Sequence, residues 1–92
     1  MLYIGICDDD EGVCAELERM LYDYAEQNKI QMDIDIWHRG ESLCRFLREK
    51  EQISDVLFLD IELLTTNGIE VGRFIREEQE NMETAIVYIS AN

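Results

Sequence analysis

Asp8 and Asp9 head a run of acids, Asp8-Asp9-Asp10-Glu11, that begins where the apolar segment Leu2 to Cys7 stops. Asp60 closes a second apolar segment, Val56 to Leu59. Segments so continuously apolar read as buried strands, which puts both sets of acids at strand ends. In neighbouring strands they would bring three carboxylates to one spot. Two unit charges about 4 Å apart at an effective dielectric near 20 repel by about 4 kcal/mol, so such a cluster takes up protons, weakens the fold or binds a cation. Hard oxygen ligands with sites left for water favour Mg²⁺ over zinc or copper, and Mg²⁺ is the ion that accompanies phosphate. The pattern points to phosphoryl chemistry. A further apolar run, Ala85 to Ile89, ends in a hydroxyl, Ser90. An acidic run after a strand also serves as a helix N-cap and dipole-matched first turn, and Asp10 and Glu11 are assigned to that role.

The elements that must position these groups follow from periodicity. After the first acids, Val13, Leu17, Met20, Leu21 and Tyr24 recur at three- and four-residue steps, a helical face that fades near Asn28. Ile30 to Trp37 alternates apolar and polar residues, which predicts a strand with one wet face at a sheet edge. His38-Arg39-Gly40 reads as a turn, and Leu43, Phe46 and Leu47 mark a second helix ending near Glu49, Lys50 and Glu51. After a loop through Asn67-Gly68, the spacing of Val71, Phe74 and Ile75 gives a third helix, ahead of the fourth strand. The order β-α-β-α-β-α-β implies parallel pairing with helices on both faces, the doubly wound α/β class, whose chemistry lies beyond the carboxyl ends of the strands.

Composition narrows the possibilities. Of 92 residues, 8 are Lys or Arg and 21 Asp or Glu, a net charge of −13, which argues against direct nucleic-acid contact. No stretch approaches the roughly 20 apolar residues of a membrane span, and the first residues lack the basic flank of a signal peptide, so a cytoplasmic protein is expected. Cys7, Cys14 and Cys44 form no Cys-x-x-Cys pair and read as reduced, packed thiols. His38, Trp37 and Arg39 read as ordinary loop and packing residues, with the lone His solvated. One domain over residues 1–92 is expected. The chain stops just after a hydrophobic strand, which suggests a domain incomplete at its C-terminal side.

Four segments together carry a family resemblance: Ile4-Gly5-Ile6-Cys7-Asp8-Asp9-Asp10-Glu11, Leu57-Phe58-Leu59-Asp60-Ile61-Glu62, Asn67-Gly68-Ile69-Glu70 and Tyr88-Ile89-Ser90-Ala91. In register, they resemble a response-regulator receiver domain, the CheY-like module of two-component signalling. The resemblance implies a flavodoxin-like sheet of order 2-1-3-4, with strand 5 and helices 4 and 5 of the family missing. Asp60 resembles the phosphoacceptor that takes a phosphoryl group from a sensor histidine kinase. Asp8 and Asp9 fall on the acidic pair that holds Mg²⁺, Asp9 favoured as the direct ligand and Asp8 as the water-mediated one. Glu62 falls where the family offers a backbone carbonyl to the metal, Ser90 on the switch hydroxyl, and Ala91 on the small residue that leaves the phosphoryl group room. The module implied is a signalling phosphoacceptor rather than an enzyme. The start Cys7-Asp8-Asp9 and the segment Gly40-Glu41-Ser42-Leu43 look most like receivers attached to LytTR-type DNA-binding output domains, which would make the parent a transcription regulator.

The sequence also departs from the family. Leu63-Leu64-Thr65-Thr66 stands where Met-Pro-Gly is usual, so this loop is less restricted in φ. No lysine replaces the one the family carries on strand 5, since Lys29 and Lys50 fall at helix ends. Mg²⁺ binding is expected to survive and phosphorylation to be slow or lost. The strand at residues 84–90 would be a bare apolar edge, which invites a homodimer. Two alternatives are a haloacid-dehalogenase-like phosphohydrolase and a pseudo-receiver serving as a dimerisation module. The first expects Asp-x-Asp where this chain has Asp60-Ile61-Glu62. The second gives no reason to keep a repelling acid cluster.

Overall fold

The computed structural model describes residues 1–49, 54–63 and 67–90. Four strands alternate with three helices: β1 (Leu2–Cys7), α1 (Glu11–Gln27), β2 (Met32–Trp37), α2 (Gly40–Glu49), β3 (Val56–Asp60), α3 (Gly68–Glu77) and β4 (Ala85–Ile89). All pairings are parallel, in the order β2-β1-β3-β4. This is the flavodoxin-like order expected, with β2 at an edge. Lys50, the loop residues 64–66 and Ala91 lie outside the described residues.

The period of two along the interior strands divides their side chains between two cores. Ile4 and Ile6 join Val56 and Phe58 on the face covered by α1, through Cys14, Leu17 and Leu21. Cys7, Leu57 and Leu59 point the other way, into a core closed by Leu43 of α2 and by Val71 and Ile75 of α3. Both faces are buried along β1 and β3, which is why neither shows the alternation of an exposed strand. The three cysteines are free thiols, and burial pushes Cys7 up to about 12 and Cys14 up to about 11.

Two details differ from the periodicity. Met20 and Tyr24 are each 55 % exposed, whereas Cys14 and Ala25 are the buried residues of α1. Two helical stripes share Leu17 and Leu21, and the buried one carries the small side chains Cys14 and Ala25. The second strand begins at Met32 rather than Ile30, because the Ile30 N–H donates to the Ala25 carbonyl at 2.8 Å and so finishes α1. Lys29, beside it, takes a left-handed φ of 55°. No helix among the described residues is long and apolar enough to cross a membrane.

Candidate functional site

The sheet register brings the acids together. Cys7 pairs with Leu59, so Asp8, one residue beyond β1, stands level with Asp60, the last residue of β3. Carboxylate oxygens of Asp8, Asp9 and Asp60 all lie within 4.8 Å of one another, the one such cluster of possible metal ligands among the described residues. Asp8 and Asp60 are only 3 % and 5 % exposed, while Asp9 is open to solvent.

Backbone donors hold the two buried carboxylates. The Asp10 N–H donates to Asp8 Oδ1 at 2.9 Å, and the Glu62 N–H donates to Asp60 Oδ1 at 3.0 Å. Burial nevertheless raises the pKa of both groups, and their negative neighbours raise it further, against the lowering effect of those N–H donors. Asp10 has the separate role expected of it, capping α1 by accepting from the N–H groups of Gly12 and Val13.

The turn after Asp60 is tightly closed. The Gly68 N–H donates to the Ile61 carbonyl at 2.9 Å, and Glu62 forms an antiparallel bridge with Asn67. A Cβ at Gly68 would collide with the Asp60 carbonyl, so this position requires glycine for close approach. Asn67 then caps α3, its side chain accepting from the Glu70 N–H at 2.8 Å. Ser90 is exposed and follows Ile89, the register partner of Asp60, which brings its backbone to the same end of the sheet. Lys29, leading into β2, lies at the opposite end, so it cannot neutralise this cluster.

Sequence reasoning missed one participant. His38, read as a solvated loop residue, is exposed, but its Nδ1 lies 3.1 Å from the Asp8 backbone carbonyl. Cys14 reaches the same oxygen, its Sγ donating at 3.4 Å. Only the topology could have signalled this: β2 is the parallel neighbour of β1, so the residues that follow each strand meet.

Three carboxylates, two buried and held short of easy ionisation, make a donor set that fits a hard divalent cation such as Mg²⁺. It does not suit soft metals: the nearby Cys14 thiol is occupied with a carbonyl, and burial keeps it protonated.

A family model for the response regulator receiver domain matches residues 4–92, and the chain belongs to that family. No match was found among curated proteins. Among solved structures, the response regulator TrrA of Thermotoga maritima, in complex with Mg²⁺-BeF, aligns with a TM-score of 0.80 at 24 % identity, over 100 % of this chain and 71 % of that one. The N-terminal domain of a response regulator/sensory box/GGDEF protein from Carboxydothermus hydrogenoformans gives 0.80 at 21 % identity, over 98 % and 65 %. A CheY-like receiver domain protein from Methanospirillum hungatei gives 0.75 at 24 % identity, over 94 % and 62 %. At these identities the likeness is one of fold. The chain spans from 62 % to 71 % of the length of these three structures.

Proposed function

We propose that this receiver domain accepts a phosphoryl group on Asp60, with Mg²⁺ held by Asp8, Asp9, the Asp60 carboxylate and the Glu62 backbone carbonyl. The observation that carries the reading is the meeting of three carboxylates at the ends of β1 and β3, where burial and mutual repulsion need a counter-ion. The ion would supply charge neutralisation, for the acids and for an incoming phosphate. Asp60 is the nucleophile, because it ends the interior strand β3 and is fixed by the Glu62 N–H. Phosphoryl transfer is catalysed mostly by positioning and electrostatics, so an aspartate held in this way needs few further groups. Ser90 is the hydroxyl that turns toward the phosphoryl group as the conformational switch.

Receiver domains in general take their phosphoryl group from histidine kinases, and the reading extends to a sensor kinase as partner, a cytoplasmic setting and a transcription-regulating output. A structure solved with Mg²⁺-BeF for a protein of the same fold is consistent with the metal assignment. The test is incubation of the chain with Mg²⁺ and a small acyl phosphate, followed by intact-protein and peptide mass spectrometry. A single phosphoryl group, gained slowly and only at Asp60, is expected. Modification elsewhere, or undiminished modification in Asp60→Asn, would refute the assignment.

Self-association is the second element of the reading. Among the described residues β4 pairs with β3 alone, and Val87 and Tyr88 on it are 40 % and 41 % exposed. An apolar edge of this kind can add a strand from a second copy.

A further inference from the structure

We propose that His38 is a positioning residue for the acidic site, holding Asp8 through its backbone rather than its carboxylate. The inference rests on the reading of Asp8, Asp9 and Asp60 as the Mg²⁺ site.

Asp8 is the first residue beyond β1, where sheet hydrogen bonding stops and a chain would ordinarily be free to turn. Here it is gripped on both sides by consecutive residues of the neighbouring strand end. Its N–H donates to the Trp37 carbonyl at 3.0 Å, and its own carbonyl lies 3.1 Å from His38 Nδ1. The ladder between β1 and β2 therefore continues one step past the strand, with an imidazole N–H standing in for a backbone donor. The Cys14 Sγ lies 3.4 Å from the same oxygen and 3.8 Å from His38 Nδ1; with the thiol proton directed at the carbonyl, as a protonated Nδ1 requires, both lone pairs of the Asp8 carbonyl are engaged. With its peptide groups fixed on either side, Asp8 has only side-chain torsions left, and the Asp10 N–H on Oδ1 restricts those.

A carbonyl oxygen can only accept, so the bond requires that His38 carry its proton on Nδ1, leaving Nε2 toward solvent. A solvated histidine has no such requirement. The consequence for the site is preorganisation. A cation bound by carboxylates pays for ordering them, and partners that orient ligand residues typically change metal affinity by about 10- to 100-fold when removed. His38 acts through a carbonyl, one step further from the ion, which places its effect near the lower end, about tenfold.

The experiment is a Mg²⁺ titration of the chain, followed by thermal midpoint and calorimetry, for the wild type, His38→Ala, His38→Asn and His38→Gln. It is paired with long-range ¹H–¹⁵N spectra of the imidazole in metal-free buffer. An asparagine amide can replace Nδ1 as donor, whereas a glutamine amide reaches where Nε2 stood. The expected results are a protonated Nδ1 in the neutral ring, about tenfold weaker Mg²⁺ binding in His38→Ala and His38→Gln, and recovery in His38→Asn. Unchanged affinity in His38→Ala, or equal loss in all three variants, overturns the proposal. If the wild type shows no response to Mg²⁺, the metal reading fails instead, and the tautomer still decides the tether: a neutral ring unprotonated at Nδ1 overturns it.

Discussion

Removing one charge from the cluster should stabilise the metal-free chain. Carboxylate oxygens within 4.8 Å of one another repel by about 3 kcal/mol per charged pair at an effective dielectric near 20. Only the Asp8–Asp60 pair counts in full, because Asp9 is exposed and screened. The Asp10 and Glu62 N–H donors offset part of the repulsion, so Asp60→Asn is expected to gain on the order of 2 kcal/mol at neutral pH in chelator-treated buffer. The amide oxygen can still accept from the Glu62 N–H, and the amide nitrogen can donate to Asp8, so no buried donor is orphaned. In a domain of this size such a gain raises the thermal midpoint by roughly 8–16 °C.

The pH dependence fixes the cause. Asp8 and Asp60 titrate higher in the folded chain than their ordinary value of 3.8. Their contribution to stability is therefore fully present below that value and is lost as pH rises through the raised native pKa. The advantage of Asp60→Asn should accordingly grow from about pH 4 up to the native pKa and be complete above it, a window read by melts across the acid range. Mg²⁺ should reverse the order of the two proteins, since saturation at about 100 times Kd adds about 2.7 kcal/mol only where the site is intact. A variant no more stable than the wild type at pH 7, with a gap that ignores pH, would refute the account of the cluster as an electrostatic cost.

Other residues give independent checks. Gly68→Ala drives a methyl group into the Asp60 carbonyl, and a loss of about 1–3 kcal/mol is expected, together with a weakened Mg²⁺ response; a metal response equal to wild type would separate the turn from the site. Thr84 Oγ1 donates to the Ser54 carbonyl at 2.6 Å and accepts from Asn81 Nδ2 at 2.7 Å. Thr84→Val therefore strands two polar groups, and urea melts should show a loss of about 1–3 kcal/mol. If β4 is a self-association edge, light scattering should show mass rising with concentration, and Val87→Lys should return the chain to monomer; a wild-type monomer at high concentration would refute that surface.

Much of this fold was legible because its strands carry unmixed signals. β1 and β3 are apolar on both faces and β2 on one, which by itself separates the interior strands from the edge. The acids of the site were legible for a related reason: Asp8 and Asp60 end apolar runs, where a charge has no packing role. The stripe of α1 was harder, since Met20 and Tyr24 offer more apolar surface than Ala25 and both stripes share Leu17 and Leu21. The network joining Asn81, Thr84 and Ser54 was illegible, because polar residues in a connection look alike whether buried or wet. His38 was missed because its partner is a backbone carbonyl thirty positions away, which leaves no mark on any side-chain pattern.

The two ends of this sheet are built for opposite purposes. At the amino ends of the strands, Asn81 and Thr84 are buried with their hydrogen bonds complete, a polar network that stabilises because every member is satisfied. At the carboxyl ends the buried groups are like charges, and their N–H donors do not cancel the repulsion. A fold selected for stability alone would place neutral acceptors there, as Asp60→Asn would do. Keeping the acids leaves a buried cluster of like charges at that end, whose repulsion a bound cation would offset. On this account the tethers on Asp8, from Trp37, His38 and Cys14, are what confine the cost to the side chains: they keep the backbone of β1 in register while the carboxylates await a counter-charge.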